Sequence, residues 1–429
     1  MGRARSLVLV LLLVAQAAAA RAAEGEVYLG AIRFEGNERT REQIMLQEMR
    51  VRPGRWVSHA AIEASRQAVM DLGLFQRVTA RLEEGEEGQV LVMTVKEKFY
   101  LLPMPILDGD PQTQDVNYGF ELRADNLLGL NQRLRVIAEH EDSTSEVTPK
   151  SDSYRIAYHY PRLLGTAYTF DLDTRLTSEN FNAEDEDGSI VGKYDRDVVN
   201  VSIHASRWLA PEGPSAGWRG GMGINYAVHA YEYISGEPDF FEDGRAISLT
   251  ASLGFSEVHD HGYYLSGAAY GWDGNIGLPA LGSDFAFNRH LFHLRLYHHL
   301  PEQNANVNWR LRIGFGDGEV FGGKAFSIGG FTTLRGYERS IRGNAMALSN
   351  LEYHQQLDDW PSVRGVLFLD LGNVYDEVID MEPGDLEAGI GFGVRWRVQF
   401  LVDVTVSADV GFGLGPGETV AYLGTSGTF

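Results

Sequence analysis

One pair of stretches brings together residue types that could do chemistry. In Gly329-Gly330-Phe331-Thr332-Thr333-Leu334-Arg335-Gly336-Tyr337-Glu338-Arg339, a cation stands between an apolar residue and a glycine with an aromatic close by. A guanidinium keeps its charge at any accessible pH and presents a planar fork that fits a carboxylate. The best candidate partner is Asp370, in Val366-Leu367-Phe368-Leu369-Asp370-Leu371-Gly372-Asn373. In a strand, if Leu367, Leu369 and Leu371 face lipid, Phe368, Asp370 and Gly372 face the other way. An enclosed Asp370 needs a partner, and Arg335 could give it two parallel hydrogen bonds while Gly336 and Gly372 allow close approach. The competing arrangement leaves Asp370 solvated in a wide interior and Arg335 on an external loop.

No other constellation reaches the standard of a site. His259-Asp260-His261 and His298-His299 lack a convergent third ligand, and neighbouring strand residues point to opposite faces. Gly314 to Gly323 is glycine-rich but has no lysine-serine pair and no helix after it, so it is not a phosphate-binding loop. Ser202 and His204 share a face without a third member. The expectation is therefore no catalytic, cofactor-binding or metal residue, and no cofactor. A formal net charge of -22 argues against nucleic acid as a partner. The acidic runs Glu139 to Glu146 and Glu184-Asp185-Glu186-Asp187 read as solvated loops.

The elements that must position Arg335 and Asp370 begin at Phe99. From there, segments of about ten residues alternate in polarity between Gly, Asp, Asn and Pro, as membrane-barrel strands do. Tyr168, Phe170, Leu172, Thr174 and Leu176 alternate with Asp171, Asp173 and Arg175. Leu311 and Ile313 alternate with Arg310 and Arg312, and Val394 and Trp396 with Arg395 and Arg397. A two-layer sandwich needs apolar inner faces, whereas a transmembrane barrel wants lipid outside and water inside. Residues 99–429, at about twenty per strand and turn, make a mainly β antiparallel barrel of about sixteen strands. Its first strand is expected near Val116 to Leu122 and its last near Val420 to Phe429, with Trp208, Trp218, Tyr231, Tyr233, Tyr263, Tyr264 and Trp272 as interfacial girdles.

Residues 1–23 read as a signal peptide, with Arg3 and Arg5 ahead of an apolar run and small residues; cleavage fits after Ala20 or Ala22. The chain has no cysteine, so a sizeable core or a membrane must hold it together. Residues 24–98 read as one small α+β domain in the order strand, helix, helix, strand, strand. Thr40 is the expected cap of the first helix and Ser58 that of the second.

That order resembles a POTRA domain. Ile32-Arg33-Phe34-Glu35-Gly36-Asn37 is similar to its opening signature and Leu72-Gly73-Leu74-Phe75 to its helix-to-strand signature, which singles out Phe34, Gly36, Asn37, Gly73 and Phe75. Phe99 to Gly129 resembles the first strand and turn of BamA-type barrels, with Asn126 and Gly129 in the turn. Leu334-Arg335-Gly336-Tyr337 resembles their inward-folding loop, and Phe368 to Asn373 its partner strand. Phe429 is the residue type that usually ends such barrels.

The resemblance implies a Gram-negative outer-membrane protein, not an enzyme, that captures unfolded polypeptide clients on its POTRA sheet edge and inserts them through a lateral opening. Outer-membrane lipid and accessory periplasmic or lipoprotein subunits are implied as partners. Secretion of a partner polypeptide is the alternative. It ranks second because the second POTRA domain and plug helix usual there are not visible. A barrel lipase or protease, or a passive porin, ranks below both.

Overall fold

In the computed structural model the described residues are 26–425, apart from 111–114, 143–149, 185–189, 211, 239–240, 319, 322–324, 338–340 and 416. The leader, Glu338-Arg339, Phe429 and parts of both acidic runs lie outside them. The chain divides into two compact units between Glu97 and Lys98.

The first unit runs β1 (Glu26–Glu35), α1 (Glu42–Glu48), β2 (Arg55–Ser58), α2 (His59–Met70), β3 (Phe75–Gly85) and β4 (Gly88–Glu97). Its sheet has the order β2-β1-β4-β3, with β1 parallel to β4 and the other pairs antiparallel. Met45 and Val69 of the helices and Leu29, Phe34, Phe75, Leu91 and Met93 of the sheet are all buried. The Ser58 side chain accepts the Ala61 N–H at 3.2 Å and caps α2. Thr40 does not cap α1: Arg41 stands at the cap position, and its side chain makes no capping bond. The Glu97 carboxylate instead takes the N–H groups of Arg39 and Thr40, at 3.1 and 2.7 Å. Strand β2 has only four residues beside Pro53-Gly54, too short a pattern to be read from the sequence.

The second unit is a sixteen-stranded antiparallel sheet that forms the barrel. Its strands begin with β5 (Leu101–Asp110), β6 (Asp115–Leu127), β7 (Gln132–Asp142), β8 (Ser151–Tyr160), β9 (Tyr168–Glu184), β10 (Ile190–Trp208), β11 (Gly217–Gly236) and β12 (Gly244–Asp260). They continue with β13 (Leu265–Gly277), β14 (Phe287–Leu300) and β15 (Ala305–Asp317). A long loop follows, carrying the short ladder β16 (Phe326–Ile328) and β17 (Ile341–Gly343). The last are β18 (Ala345–Leu357), β19 (Trp360–Tyr375), β20 (Glu387–Arg397), β21 (Thr405–Leu414) and β22 (Thr419–Gly424). β5 and β22 are the two ends of the hydrogen-bonded order.

The first barrel strand is therefore β5, and Val116 to Leu122 lies in the second. Pro103 and Pro105 obscured it, because proline cannot donate to a ladder; at the end of the strand order one side needs no donor. Asn126 and Gly129 accordingly turn the chain from β6 to β7. The Asn126 carbonyl accepts the Gly129 N–H at 3.0 Å, and its side-chain oxygen accepts the Asn131 N–H at 2.8 Å.

Alternation holds around the wall. Tyr168, Leu176, Phe292, Ile313, Val394 and Trp396 are exposed outward, while Arg310, Arg395 and Asp409 are buried inside. No helix among the described residues could span a membrane, and the strands do that work. Trp218 packs edge-on against Phe255 and Tyr270, as an outer aromatic band would. Tyr264 departs from that expectation, stacking on His299 at 3.8 Å with Arg364 over its ring at 5.6 Å.

Candidate functional site

The β15–β18 loop enters the barrel and is held there by charge. Arg335 is fully buried, and its Nε and Nη2 donate to the two carboxylate oxygens of Asp370 at 2.7 and 2.9 Å. The Arg335 backbone N–H adds a bond to Asp370 Oδ2 at 3.2 Å. Nη1 donates to Glu352 Oε1 at 2.7 Å and to Asp409 Oδ2 at 2.8 Å, and the guanidinium carbon stands 3.5 Å above the centre of the Phe368 ring. One arginine thus engages three carboxylates from β18, β19 and β21.

Three unshielded carboxylates could not share one cation cheaply, and further donors complete the network. Arg395 reaches Asp409 through both terminal nitrogens and donates to Glu352 Oε1 at 3.2 Å. His354 Nε2 lies 2.7 Å from the other Glu352 oxygen. Asn350 donates to Asp370 Oδ1 at 2.7 Å and to the Thr333 carbonyl at 2.6 Å. Arg310 bonds Asn350 Oδ1 at 2.8 Å and the Thr332 carbonyl at 2.5 Å. Loop backbone and wall side chains are joined in one hydrogen-bonded set.

Strand register explains why the wall can admit a loop. Asn350 pairs across to Asp370, and Asp370 to Gly389; Glu352 pairs to Phe368, and Phe368 to Gly391. On β20 and β21, Gly389, Gly391, Gly393, Gly411 and Gly413 occupy the inward positions, which makes a side-chain-free trough. Gly336 lies in it at φ +88°, where a Cβ would meet the Gly413 nitrogen at 2.2 Å. The Gly336 N–H donates to the Tyr422 hydroxyl at 3.0 Å, and its carbonyl accepts the Glu418 N–H at 2.8 Å.

The neighbours of Arg335 are held as firmly. Leu334 and Tyr337 pack with Ile328, Met346 and Val374, and the Tyr337 hydroxyl donates to the Leu414 carbonyl at 2.6 Å. A Cβ on Gly372 would meet Leu348 Cδ1 at 2.8 Å and Ile328 Cδ1 at 3.3 Å, so that glycine makes room for β16. The residues that sequence reasoning missed are Glu352, Asp409, Arg395, Asn350 and Arg310. Glycine at every second residue of β20 was the readable sign of the trough.

In the first unit, Phe34 and Phe75 lie in the core. Gly36 has φ +86°, where a Cβ would meet the Val95 carbonyl oxygen at 2.2 Å. The Asn37 side chain donates to the Thr40 carbonyl at 3.2 Å, and the Gly73 N–H donates to the Met70 carbonyl at 3.0 Å.

One trio in the lumen has the composition of a hydrolytic triad. Ser252 Oγ lies 3.3 Å from His204 Nε2, but His204 Nδ1 is 4.0 Å from Asp171, whose carboxylate is taken by His159 at 2.5 Å. At 4.0 Å no hydrogen bond orients the imidazole. No cluster that could hold a metal is found among the described residues.

Residues 126–401 match the Omp85 superfamily domain, and residues 27–98 match POTRA, the surface antigen variable number repeat. The chain is similar to the outer membrane protein assembly factor BamA of Nitratidesulfovibrio vulgaris, with 23% identity over 400 residues, covering 87% of this chain and 47% of that protein. It thus spans about half the length of that relative. Among solved structures, BamA from Haemophilus ducreyi lacking POTRA domains 1-3 aligns at TM-score 0.52 and 16% identity, over 92% of this chain and 83% of that one. CdiB from Acinetobacter baumannii aligns at TM-score 0.62 and 14% identity, over 92% and 73% of the two chains. CdiB from Escherichia coli aligns at TM-score 0.63 and 15% identity, over 94% and 74%.

Proposed function

The chain belongs to the Omp85 superfamily, an outer-membrane barrel with its POTRA domain in the periplasm, and from that premise we propose that it inserts other polypeptides into the outer membrane. An unfolded client adds as a strand to an edge of the POTRA sheet, where main-chain pairing tolerates any sequence. It then passes between β5 and β22 into lipid. Client folding and apolar burial drive the process without a nucleotide or metal. Unfolded polypeptides are the clients, and accessory periplasmic or lipoprotein subunits deliver them.

The observation that carries this reading is the anchored loop. A segment pinned inside the lumen by bonds from Arg335 to Asp370, Glu352 and Asp409 stands in the way of a central conduit, which supports the edges of the sheet as the route. A second reading, translocation of a secreted polypeptide through the lumen, is favoured by the likeness to two CdiB barrels. It requires the loop to leave.

The cysteine-free chain permits a direct test. Cysteine pairs placed on β5 and β22 and oxidised should stop insertion of a client barrel into vesicles, and reduction should restore it. Undiminished insertion through a locked seam rules out the lateral route.

A further inference from the structure

Arg364, in the first third of β19, has only 5% of its surface exposed, and none of its three guanidinium nitrogens has a hydrogen-bond partner. Its guanidinium carbon stands 5.6 Å from the centre of the Tyr264 ring. A buried guanidinium without an acceptor is costly by several kcal/mol, and such groups are almost always paired. Arg364 borders a cavity of about 160 Å³ that Glu352 and Arg395 of the network around Arg335 also line.

Both other arginines on the cavity wall have acidic partners. Arg395 is bound by Asp409 and Glu352, and Arg397 donates to Asp260 at 2.7 Å. His354 is bonded to Glu352. Of the acids, Glu352 is occupied by Arg335, Arg395 and His354, and Asp403 stands 3.5 Å from Arg123. One positive charge therefore remains uncommitted. Tyr263, Tyr264, Leu265 and Tyr297 give the wall an aromatic and apolar part, and Asn306, Asn308, Ser362 and Thr405 a neutral polar part.

We propose that this cavity is a binding site for a carboxylate carried on an apolar group, with Arg364 as its bidentate receptor. The fork of a guanidinium matches the two oxygens of a carboxylate, and one free cation balances one negative charge. A phosphate carries about -1.5 to -2 near neutral pH and would remain overcharged against a single arginine. The aromatic wall would cover the apolar part of the ligand, and the cavity exceeds the roughly 30 Å³ share of a single water several-fold. A polypeptide whose terminal or side-chain carboxylate enters from the periplasmic end carries this chemistry.

The test is calorimetric titration of the full-length folded protein in detergent with N-acetyl-leucine, N-acetyl-leucinamide and inorganic phosphate. The expected result is saturable, millimolar or tighter binding of the acid, with the amide and phosphate at least about tenfold weaker. Arg364→Met should abolish the binding and Arg364→Lys should retain part of it. Heat-modifiable migration on gels verifies that each variant is folded. If neither variant folds, the wild-type comparison of acid with amide decides alone. No saturable binding by the wild type, equal binding of acid and amide, preference for phosphate, or unchanged binding by a folded Arg364→Met protein each overturns the proposal.

Discussion

The backbone carbonyl of Arg335 occupies the place of a side chain that Gly389 lacks: a Cβ built on Gly389 would meet that oxygen at 2.0 Å. The loop and the β20 wall are therefore complementary in shape before any charge is counted. A Gly389→Ala protein should show its loop unseated, because the contact is with backbone and cannot be relieved by a rotamer change. Overpacking of this kind costs about 1–3 kcal/mol. Limited proteolysis should cut residues 318–344 faster than in the wild type. An unchanged cleavage rate would show that the wall yields instead.

Arg335 and Asp370 should behave as one unit. Arg335→Ala leaves three buried carboxylates short of a partner, and Asp370→Ala leaves a buried guanidinium half satisfied. Each should lower barrel stability by about 3–5 kcal/mol, the usual cost of removing one partner of a buried pair. The double variant should lose less than the sum, with a coupling of about 1–3 kcal/mol from unfolding midpoints in detergent. Strict additivity would mean that the two side chains act separately.

Trp56 stands on β2, an edge of the POTRA sheet, 65% exposed and edge-on to the Tyr28 ring. An exposed aromatic beside an open strand edge is a ready apolar contact for an added strand. Trp56→Ser should weaken the binding of an unfolded client peptide several-fold while leaving the thermal midpoint nearly unchanged. Fluorescence anisotropy of a labelled peptide reads the first quantity and circular dichroism the second.

On the exposed outer face of the POTRA sheet, the hydrogen bond from Arg81, with a smaller contribution from Arg33, holds the Glu83 carboxyl below its ordinary value of 4.5. A carboxylate with a depressed folded pKa stabilises the fold above its unfolded value and loses that contribution as pH falls through the folded one. The effect is small at a solvated pair. In urea titrations that follow POTRA unfolding by proteolysis, Glu83→Gln should shift the midpoint little at pH 7. The same variant should destabilise less than the wild type does on acidification to roughly pH 3. A parallel pH dependence in both proteins would remove Glu83 from the acid response.

Much of the fold was legible because period-2 alternation survives wherever one face meets lipid, as in Leu367 and Leu369 against Phe368 and Asp370. The stretch around Arg335 was legible from its composition. Its other partners were not, since Asp409 lies 74 residues away and becomes a neighbour only once the register of β19, β20 and β21 is known. β5 was masked by two prolines, and the start of α1 by Glu97, which is 57 residues from Thr40 in the chain.

The anchored loop also gives the seam two unlike sides. Its bonds run to β15, β18, β19 and β21, and the Tyr422 hydroxyl extends them to β22. The last strand is therefore braced by the interior strut, while the first is held by its ladder with β6 and by Leu102, which packs with Val398 and Val404. In the lateral opening proposed above, β22 is the side of the seam that the lumenal loop braces from within.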